Sequence, residues 1–290
     1  MFRILFFNLI RVARFEILMV ALGGEISTSV NCLQPSMCLI NSQFKDLLYP
    51  ESGNCVESLI LEIPATPECL SCALWFPNLV SLQAIGIGLG DGDLQIVVFP
   101  IGIEKIDFSD NLLTCISDWS AYKLLRDFRV DRNSVRCIAN LKMPKCLTAL
   151  SLEDNQVDVF PDLSNLRFLD SLNLSGNRVS SVPAHLIPTS LREFKIARNE
   201  IEKFPEISSV FQRMEVLDLS ANPISKNIES LIACMPNLID LSVPISHSSD
   251  KRPNYFSLRH LRTFNSSQVN VEDKITACFS AIACPMYLQI

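Results

Sequence analysis

Apolar residues recur along this chain in a fixed order, which two segments show most clearly. Residues 147–157 and 169–179 both read Leu-x-x-Leu-x-Leu-x-x-Asn-x-Val. The second and third Leu of each segment are separated by single polar residues, which is the pattern of a short strand with one buried face. The pattern therefore predicts a strand around Leu172 and Leu174, with both side chains turned inward.

The same order returns at a nearly constant spacing. Asn occupies the equivalent place six times, at steps of 22, 22, 22, 22 and 23 residues: Asn111, Asn133, Asn155, Asn177, Asn199 and Asn222. A fixed period of this length indicates a solenoid, in which each unit stacks on the next. An Asn side chain can donate to a C=O group and accept from an N–H group, so we predict an Asn ladder that satisfies buried backbone at each turn.

The repeated strand and Asn turn resemble the signature of the leucine-rich repeat family, in its short 22-residue form. The resemblance covers residues 56–271, about ten units, of which six strong ones lie at 103–235. It implies an α/β solenoid, a horseshoe with a parallel concave β-sheet and a mostly irregular or 3₁₀ convex side. Pro161, Pro183 and Pro205 each follow a ladder Asn by six residues and fit such a convex side, because Pro fixes φ and donates no hydrogen bond.

The segments outside the repeats carry weaker signals. Residues 1–30 predict an apolar leader, which caps the first repeat or serves as a secretory signal. Residues 31–55 predict a Cys-containing N-terminal cap, which the resemblance implies for extracellular members. Residues 272–290 predict a short helix and the start of a further repeat. On this interpretation the sequence stops within a repeat, and we expect a fragment, a partner-covered terminus or a naturally frayed end.

Charge and apolar run length narrow the classes of function. The net charge of −6 gives no reason to expect nucleic acid as a partner. No stretch reaches the roughly 18 to 20 apolar residues that a membrane-spanning helix needs, so no transmembrane helix is predicted. Five of the eleven cysteines lie between residues 32 and 72, and for this reason we favour secretion or the cell surface over the cytoplasm, while leaving the compartment open.

No catalytic, metal or cofactor site is indicated. Residues 86–93 are rich in Gly but lack the Lys-Ser/Thr of a phosphate-binding loop, and we do not expect them to lead into a helix. A degenerate repeat turn with extra residues is the better interpretation. Cys69 and Cys72 form a C-x-x-C pair without a second one, and the chain has only three His, so no metal site is predicted.

Function is therefore sought on the outward positions of the strands, where the resemblance implies that a protein ligand binds. The residues predicted to contact it are Asp107, Arg126, Arg129, Asp131, Arg132, Glu153, Lys195 and Asp218. Asp107 and Arg129 lie on adjacent units, as do Lys195 and Asp218, so opposite charges could pair across units and leave a self-neutralising surface. An acidic part of the partner is expected near the three Arg of the set, because Arg is favoured at interface hot spots.

Two interpretations from different classes of function follow from this surface. The first is a non-catalytic protein-interaction module, a scaffold or receptor-like recognition domain. The alternative is a regulatory or recognition segment of a larger enzyme, such as a kinase, with its catalytic part outside this chain.

Two covalent modifications are predicted for an oxidising or secretory compartment. Asn173 and Asn265 each begin a glycosylation sequon and share one outward strand position. Cys115 and Cys137 each follow a ladder Asn by four residues, so stacking places them at about 5 Å, within the Cα range of a disulfide.

Overall fold

The computed structural model describes residues 15–20, 56–62, 67, 70, 73, 77–136, 138, 141–205, 211–224, 235–244, 260 and 262–266. Its strands, in chain order, are β1 Phe15–Val20, β2 Val56–Glu62, β3 Ser81–Ile85, β4 Lys105–Asp107, β5 Asp127–Arg129, β6 Ala149–Ser151, β7 Ser171–Asn173, β8 Glu193–Lys195, β9 Val216–Asp218, β10 Asp240–Val243 and β11 Thr263–Ser266. The elements also include a short helix, α1 Asp91–Ile96, and a 3₁₀ turn, Ala184–Leu186.

All eleven strands form a single parallel sheet in sequence order, from β1 to β11. Each strand pairs with the strand of the next unit, so equivalent residues of successive units lie side by side. Leu150 of β6, for example, pairs with Leu172 of β7, which pairs with Phe194 of β8. This arrangement confirms the predicted solenoid with a parallel concave sheet.

The core is a continuous column of inward side chains. Leu172 and Leu174 are both fully buried, as are the equivalent residues of the neighbouring units. Alternation along each short strand sends every second side chain into this core and leaves the others on the concave side. A unit alone could not bury its apolar face, so stacking supplies the stability.

Aromatic side chains fill the interior near the start of the Asn-bearing units. Trp119 lies 5.0 Å from Phe128, 5.3 Å from Tyr122 and 5.5 Å from Phe99 between ring centroids. The indole N–H of Trp119 is buried and finds no hydrogen-bond partner among the described residues. Aromatic packing therefore holds this ring in place without a polar contact.

The residue before each ladder Asn adopts a left-handed backbone conformation. The φ angle is positive before all six ladder Asn, at Asp110, Arg132, Asp154, Gly176, Arg198 and Ala221, and also at Gly86, which precedes Ile87 at the equivalent place. Only two of these residues are Gly, so stacking holds non-Gly residues in a conformation that costs about 1 to 2 kcal/mol each. The sharp turn into the Asn position requires it in every unit.

The convex side is mostly irregular where it is described, which confirms the expected architecture. One detail of the prediction was wrong, because the Gly-rich segment 86–93 does lead into a helix, α1. The extra residues of this longer unit provide room for that single helical segment. The side chain of Asp91 accepts hydrogen bonds from the backbone N–H groups of Thr114 and Cys115, so it fixes the turn of the next unit.

The sheet also extends beyond the predicted repeats. β1 lies within the segment 1–30 and pairs in parallel with β2, ahead of the repeat region that was predicted to begin at residue 56. The predicted cap at 31–55 and the predicted helix and partial repeat at 272–290 lie outside the described residues. Among the helices of the described residues, none has the length and apolar character needed to cross a membrane.

Candidate concave binding surface

The candidate surface consists of the outward positions of β3 to β10. Parallel pairing aligns the middle outward residues into one column: Gln83, Asp107, Arg129, Ser151, Asn173, Lys195, Asp218 and Ser242. Neighbouring members are separated by about 4.8 Å, the spacing of paired strands. Four of the predicted contact residues therefore lie in a single row across the sheet.

The two cations of the middle outward column form ion pairs along their own strands, in contrast to the cross-strand pairing considered from the sequence. Arg129 Nε lies 3.1 Å from Asp127 Oδ1 on the same strand, and this hydrogen bond raises the pKa of the guanidinium. Lys195 Nζ lies 2.5 Å from Glu193 Oε1 in the same way. Residues two apart on a strand share a face, so their side chains can meet without crossing to another unit.

The two carboxylates expected to pair across units are engaged locally. Asp107 Oδ1 accepts hydrogen bonds from the amide and the hydroxyl of Ser109, at 2.9 and 2.5 Å. Asp218 Oδ1 accepts from the amide and hydroxyl of Ser220, at 3.0 and 2.7 Å. In both cases an Asp side chain closes a short local turn, so these carboxylates form local hydrogen bonds and no ion pair with a described cation of the adjacent unit.

Asp131 is a half-buried carboxylate of the predicted set. Its Oδ1 accepts from the Ser151 hydroxyl at 2.5 Å and from the Glu153 amide at 2.8 Å. Burial, followed by the nearby charges of Asp107 and Glu153, raises the pKa of this carboxyl. The protein therefore holds several carboxylates close together here, partly offset by hydrogen bonds.

Arg132 lies in the left-handed turn rather than on a strand. Its Nε and Nη2 atoms donate to Asp110 Oδ1 and Oδ2, both at 2.6 Å, and these bonds lower the pKa of Asp110 and raise that of Arg132. The bidentate pair joins equivalent positions of two units. The column of turn residues is thus a second charged row beside the middle outward column.

Arg198 is not in the predicted contact set, yet its side chain spans two units. Its Nη2 lies 2.8 Å from Asp154 Oδ1 and 3.2 Å from Glu153 Oε1, across the unit that contains Gly176. A Cβ atom on Gly176 would lie 1.9 Å from Asp154 Oδ1 and 3.2 Å from Arg198 Nη2. In the sequence, the turn position of three successive units is occupied by Asp154, Gly176 and Arg198, and this order could have indicated the ion pair.

Arg126 differs from the other two arginines of the predicted set. It is exposed and forms no ion pair with a described residue, whereas Arg129 and Arg132 each bind a carboxylate. At the equivalent place three units later, Arg192 pairs with Asp170 at 3.2 Å. Arg126 is therefore the predicted contact cation with the least internal compensation.

The outward column nearest the turns is more buried than the alternation pattern suggests. Alternation with the buried Leu174 places Ser175 on the outward face, but only 5% of Ser175 is exposed. The equivalent residues Ser109 and Ala197 are also buried, at 4% and 6% exposure, so this position is covered in several units. Alternation identifies which face a residue lies on, while its exposure depends on the neighbours.

The ladder side chains bind backbone groups of two units. Asn177 Nδ2 lies 2.8 Å from the Leu152 carbonyl of the preceding unit and 3.0 Å from its own unit's Leu174 carbonyl. Its Oδ1 accepts from the Val157 amide at 2.9 Å. The other five ladder residues, Asn111, Asn133, Asn155, Asn199 and Asn222, make equivalent bonds.

The predicted modification sites lie only partly among the residues that the structure describes. Asn173 is half-buried, and its Nδ2 donates to Glu153 Oε2 at 3.0 Å while its Oδ1 accepts from the Ser175 amide. Asn265 pairs in register with Ser242, but its side chain is outside the description. Cys115 is exposed, whereas Cys137 lies outside the described residues, so the disulfide stays a prediction.

Comparison by sequence gives no relative, since no protein-family model and no curated protein matches the chain. Comparison by structure finds solved proteins with a similar fold. Internalin C2 from Listeria monocytogenes is 20% identical, with a TM-score of 0.58, over 70% of this chain and 93% of that one. The internalin InlF from the same organism is 19% identical, with a TM-score of 0.56, over 82% and 74%.

A third similar structure is an octameric complex of latrophilin 3, Unc5D and the leucine-rich repeat protein FLRT2. The matched chain of that complex is 19% identical to this chain, with a TM-score of 0.50, and the match covers 73% of this chain and 71% of that one. At such identities the likeness concerns the fold. Together with the Asn ladder and the parallel sheet, these comparisons show that the chain has the fold of a leucine-rich repeat solenoid.

Proposed function

We propose that this chain is a non-catalytic protein-interaction module that binds a protein ligand on its concave sheet. The observation that carries the proposal is the unbroken register of β3 to β10, which presents side chains of several units in one rigid array. A preformed array requires little ordering on association, so its contacts translate into affinity with a small entropic cost. The FLRT2 complex is an example of a leucine-rich repeat protein assembled with other proteins.

The proposed contact set is the one predicted from the sequence, centred on β4 to β9. Within it, Arg126 is the cation most available to an acidic group of the partner, because no described carboxylate neutralises it. Arg129 and Lys195 are 52% and 42% exposed at their side chains, so a ligand could also engage them together with their paired carboxylates. Charge complementarity of this kind contributes to specificity and association rate.

The test is affinity purification of the full chain from its native source, followed by mass spectrometry of the bound proteins. The matched baits are the wild type, an Arg129→Gln/Lys195→Gln variant on the concave face, and an Arg178→Gln/Lys203→Gln control. Both control residues are exposed and lie after the ladder Asn, away from the strands. A partner retained by the wild type and the control but lost by the concave variant supports the proposal.

Two results would contradict it. Equal loss of the partner from the concave variant and the control would place the contact elsewhere. A catalytic domain found covalently continuous with these repeats in the native protein would favour the alternative, a recognition segment of a larger enzyme.

A further inference from the structure

A second surface with its own chemistry lies along the border of the sheet where the strands begin. Just before the first buried Leu of three consecutive units, a cation is followed by an apolar residue: Lys123-Leu124, Lys145-Cys146 and Arg167-Phe168. We call these six residues the basic–apolar stripe. Because the pairs recur every 22 residues, the solenoid stacks them on adjacent units.

The stripe is exposed in spite of its apolar members. Phe168 is 66% exposed and Leu124 is 47% exposed, with the half-buried Cys146 between them. The Cys146 thiol donates to the Lys123 carbonyl at 2.7 Å, which ties two units together at this point. Consecutive exposed apolar side chains of this kind mark an interaction surface more often than isolated ones do.

The cations of the stripe lack the compensation found on the concave face. Lys123, Lys145 and Arg167 form no ion pair with any residue that the structure describes. Among the described residues, the Lys123 ammonium donates to the Ser120 carbonyl alone. A chain with a net charge of −6 therefore carries a row of uncompensated positive charge on this border.

The row is bounded on both sides. The equivalent pairs are Ile101-Gly102 in the preceding unit and Thr189-Ser190 in the following one, and neither contains a cation. Stacking of the repeats does not require Lys or Arg at this position, because the two flanking units stack without a cation there. The combination of cation and exposed apolar residue is thus specific to three units.

We propose that the basic–apolar stripe is a docking site for an acidic amphipathic helix of a partner protein. Units are spaced by about 4.8 Å and a helix rises about 5.4 Å per turn, so a helix lying along the solenoid can present one carboxylate per turn to one cation per unit. Over three units the mismatch is about 1.2 Å, which flexible Lys and Arg side chains absorb. The apolar side of the helix then covers Leu124, Cys146 and Phe168.

This site goes beyond the proposed concave function and does not depend on it. The stripe lies before the first buried Leu of each unit, whereas the concave contact set lies after that Leu, on the strands and directly beside them. A protein could therefore bind one ligand on the concave sheet and a helix on this border. Each surface is tested by variants that leave the other unchanged.

The test uses the full chain in reducing buffer and a dye-labelled synthetic helical peptide, with binding followed by fluorescence anisotropy. The peptide carries Glu at i, i+4 and i+7 with Leu beside them, and its control has the same composition with the Glu on the opposite face from the Leu. We expect Lys145→Glu/Phe168→Ser to weaken binding by about ten-fold or more, through charge reversal and loss of apolar contact. The matched control Arg178→Glu/Val159→Ser makes the same kinds of change among exposed residues beyond the ladder and should stay within about two-fold of wild type.

The outcomes separate the partner classes. Weaker binding at higher salt, together with weaker binding of the control peptide, supports an acidic helix. Equal binding of both peptides, or equal loss in both double variants, overturns the proposal. So does binding of vesicles containing phosphatidylserine in the absence of peptide binding. If the Lys145→Glu/Phe168→Ser chain fails to fold, Lys145→Gln alone should still weaken peptide binding measurably, and wild-type affinity in that variant overturns the proposal.

Discussion

At the scale of single residues, the ladder Asn side chains do most to make the turns possible. Each turn buries N–H and C=O groups that cannot reach water, and unpaired groups of this kind are costly. Asn177 binds such groups in its own unit and in the unit before it. One side chain therefore serves both the local turn and the stacking of units.

We predict that Asn177→Ala lowers the free energy of unfolding by on the order of 1 to 3 kcal/mol, because it leaves buried backbone groups without partners. Ser175→Ala is the control. Ser175 is buried, but its hydroxyl makes no hydrogen bond to a described residue, so its removal should have little effect. Urea denaturation followed by circular dichroism measures both. A wild-type midpoint for Asn177→Ala would show that the ladder bonds do not stabilise the fold.

The raised pKa of Asp131 gives a prediction about pH. In the folded state this carboxyl binds a proton more tightly than in the unfolded state, so its ionisation opposes folding. This destabilisation is absent below the unfolded pKa of about 3.9 and develops as the pH rises through the folded value. Asp131→Asn should therefore gain stability relative to wild type as the pH rises through that window, and the gain should persist at neutral pH.

Thermal denaturation at several pH values measures this difference. The Asn side chain keeps an oxygen that can accept from Ser151 and from the Glu153 amide, so the change isolates the charge. A difference from wild type that is constant with pH would mean that the carboxyl does not titrate differently on folding.

At the scale of elements, the strands are too short to be stable alone, and the turns that follow them determine how the units join. Most strands have three residues, and each is continued by a left-handed residue and a ladder Asn. Gly176 occupies the left-handed position of its unit and also leaves space for Arg198 to reach Asp154. A backbone requirement and an ion pair thus coincide at one residue.

We predict that Gly176→Ala destabilises the protein by about 1 to 2 kcal/mol, from the left-handed conformation alone. Loss of the space for Arg198 adds to this effect, since the new Cβ would overlap Asp154 Oδ1. Ala221→Gly at the equivalent turn is the matched reverse change and should be neutral or stabilising, because its φ is +51°. Chemical denaturation of both variants measures the change in the free energy of unfolding. A more stable Gly176→Ala variant would contradict a left-handed conformation at residue 176.

At the scale of the whole molecule, the solenoid offers at least two surfaces, the concave sheet and the border where the strands begin. A continuous core holds them rigidly, because each unit packs only on its neighbours and all units follow one register. Modification of one surface can therefore block it without unfolding the other.

We predict that, on passage through a secretory pathway, Asn265 is glycosylated more readily than Asn173. The Asn173 amide nitrogen donates to Glu153, and Ser175 of its sequon is buried, so the folded solenoid competes with modification there. Glycopeptide mass spectrometry of protein from a eukaryotic secretory host measures the occupancy of each site. Higher occupancy at Asn173 than at Asn265 would contradict the prediction, and a glycan at Asn173 should abolish binding on the concave face.

The sequence by itself determined the repeat, the strand register and the buried positions. A period of 22 residues permits one way of stacking the units, and burial of Leu172 together with Leu174 permits one face of the strand to turn inward. The Asn positions then follow, because the turn needs a side chain that both donates and accepts. For these reasons the solenoid and the alignment of Asp107, Arg129 and Lys195 in one column could be predicted.

Only the tertiary structure decided which charges meet and which small residues are covered. Arg129 had carboxylates available on its own strand and on adjacent strands, and side-chain geometry selected Asp127. Arg198 reached across a Gly-containing unit, and Ser175 was buried although alternation places it on the outward face. The pairing of β1 with β2 is visible only in the structure, because the two strands are far apart in the sequence and share no complete repeat signature. The repeat period determines the position of each residue in the solenoid. The contacts of its side chain depend on competition among neighbouring groups within a few ångströms, which only the tertiary structure defines.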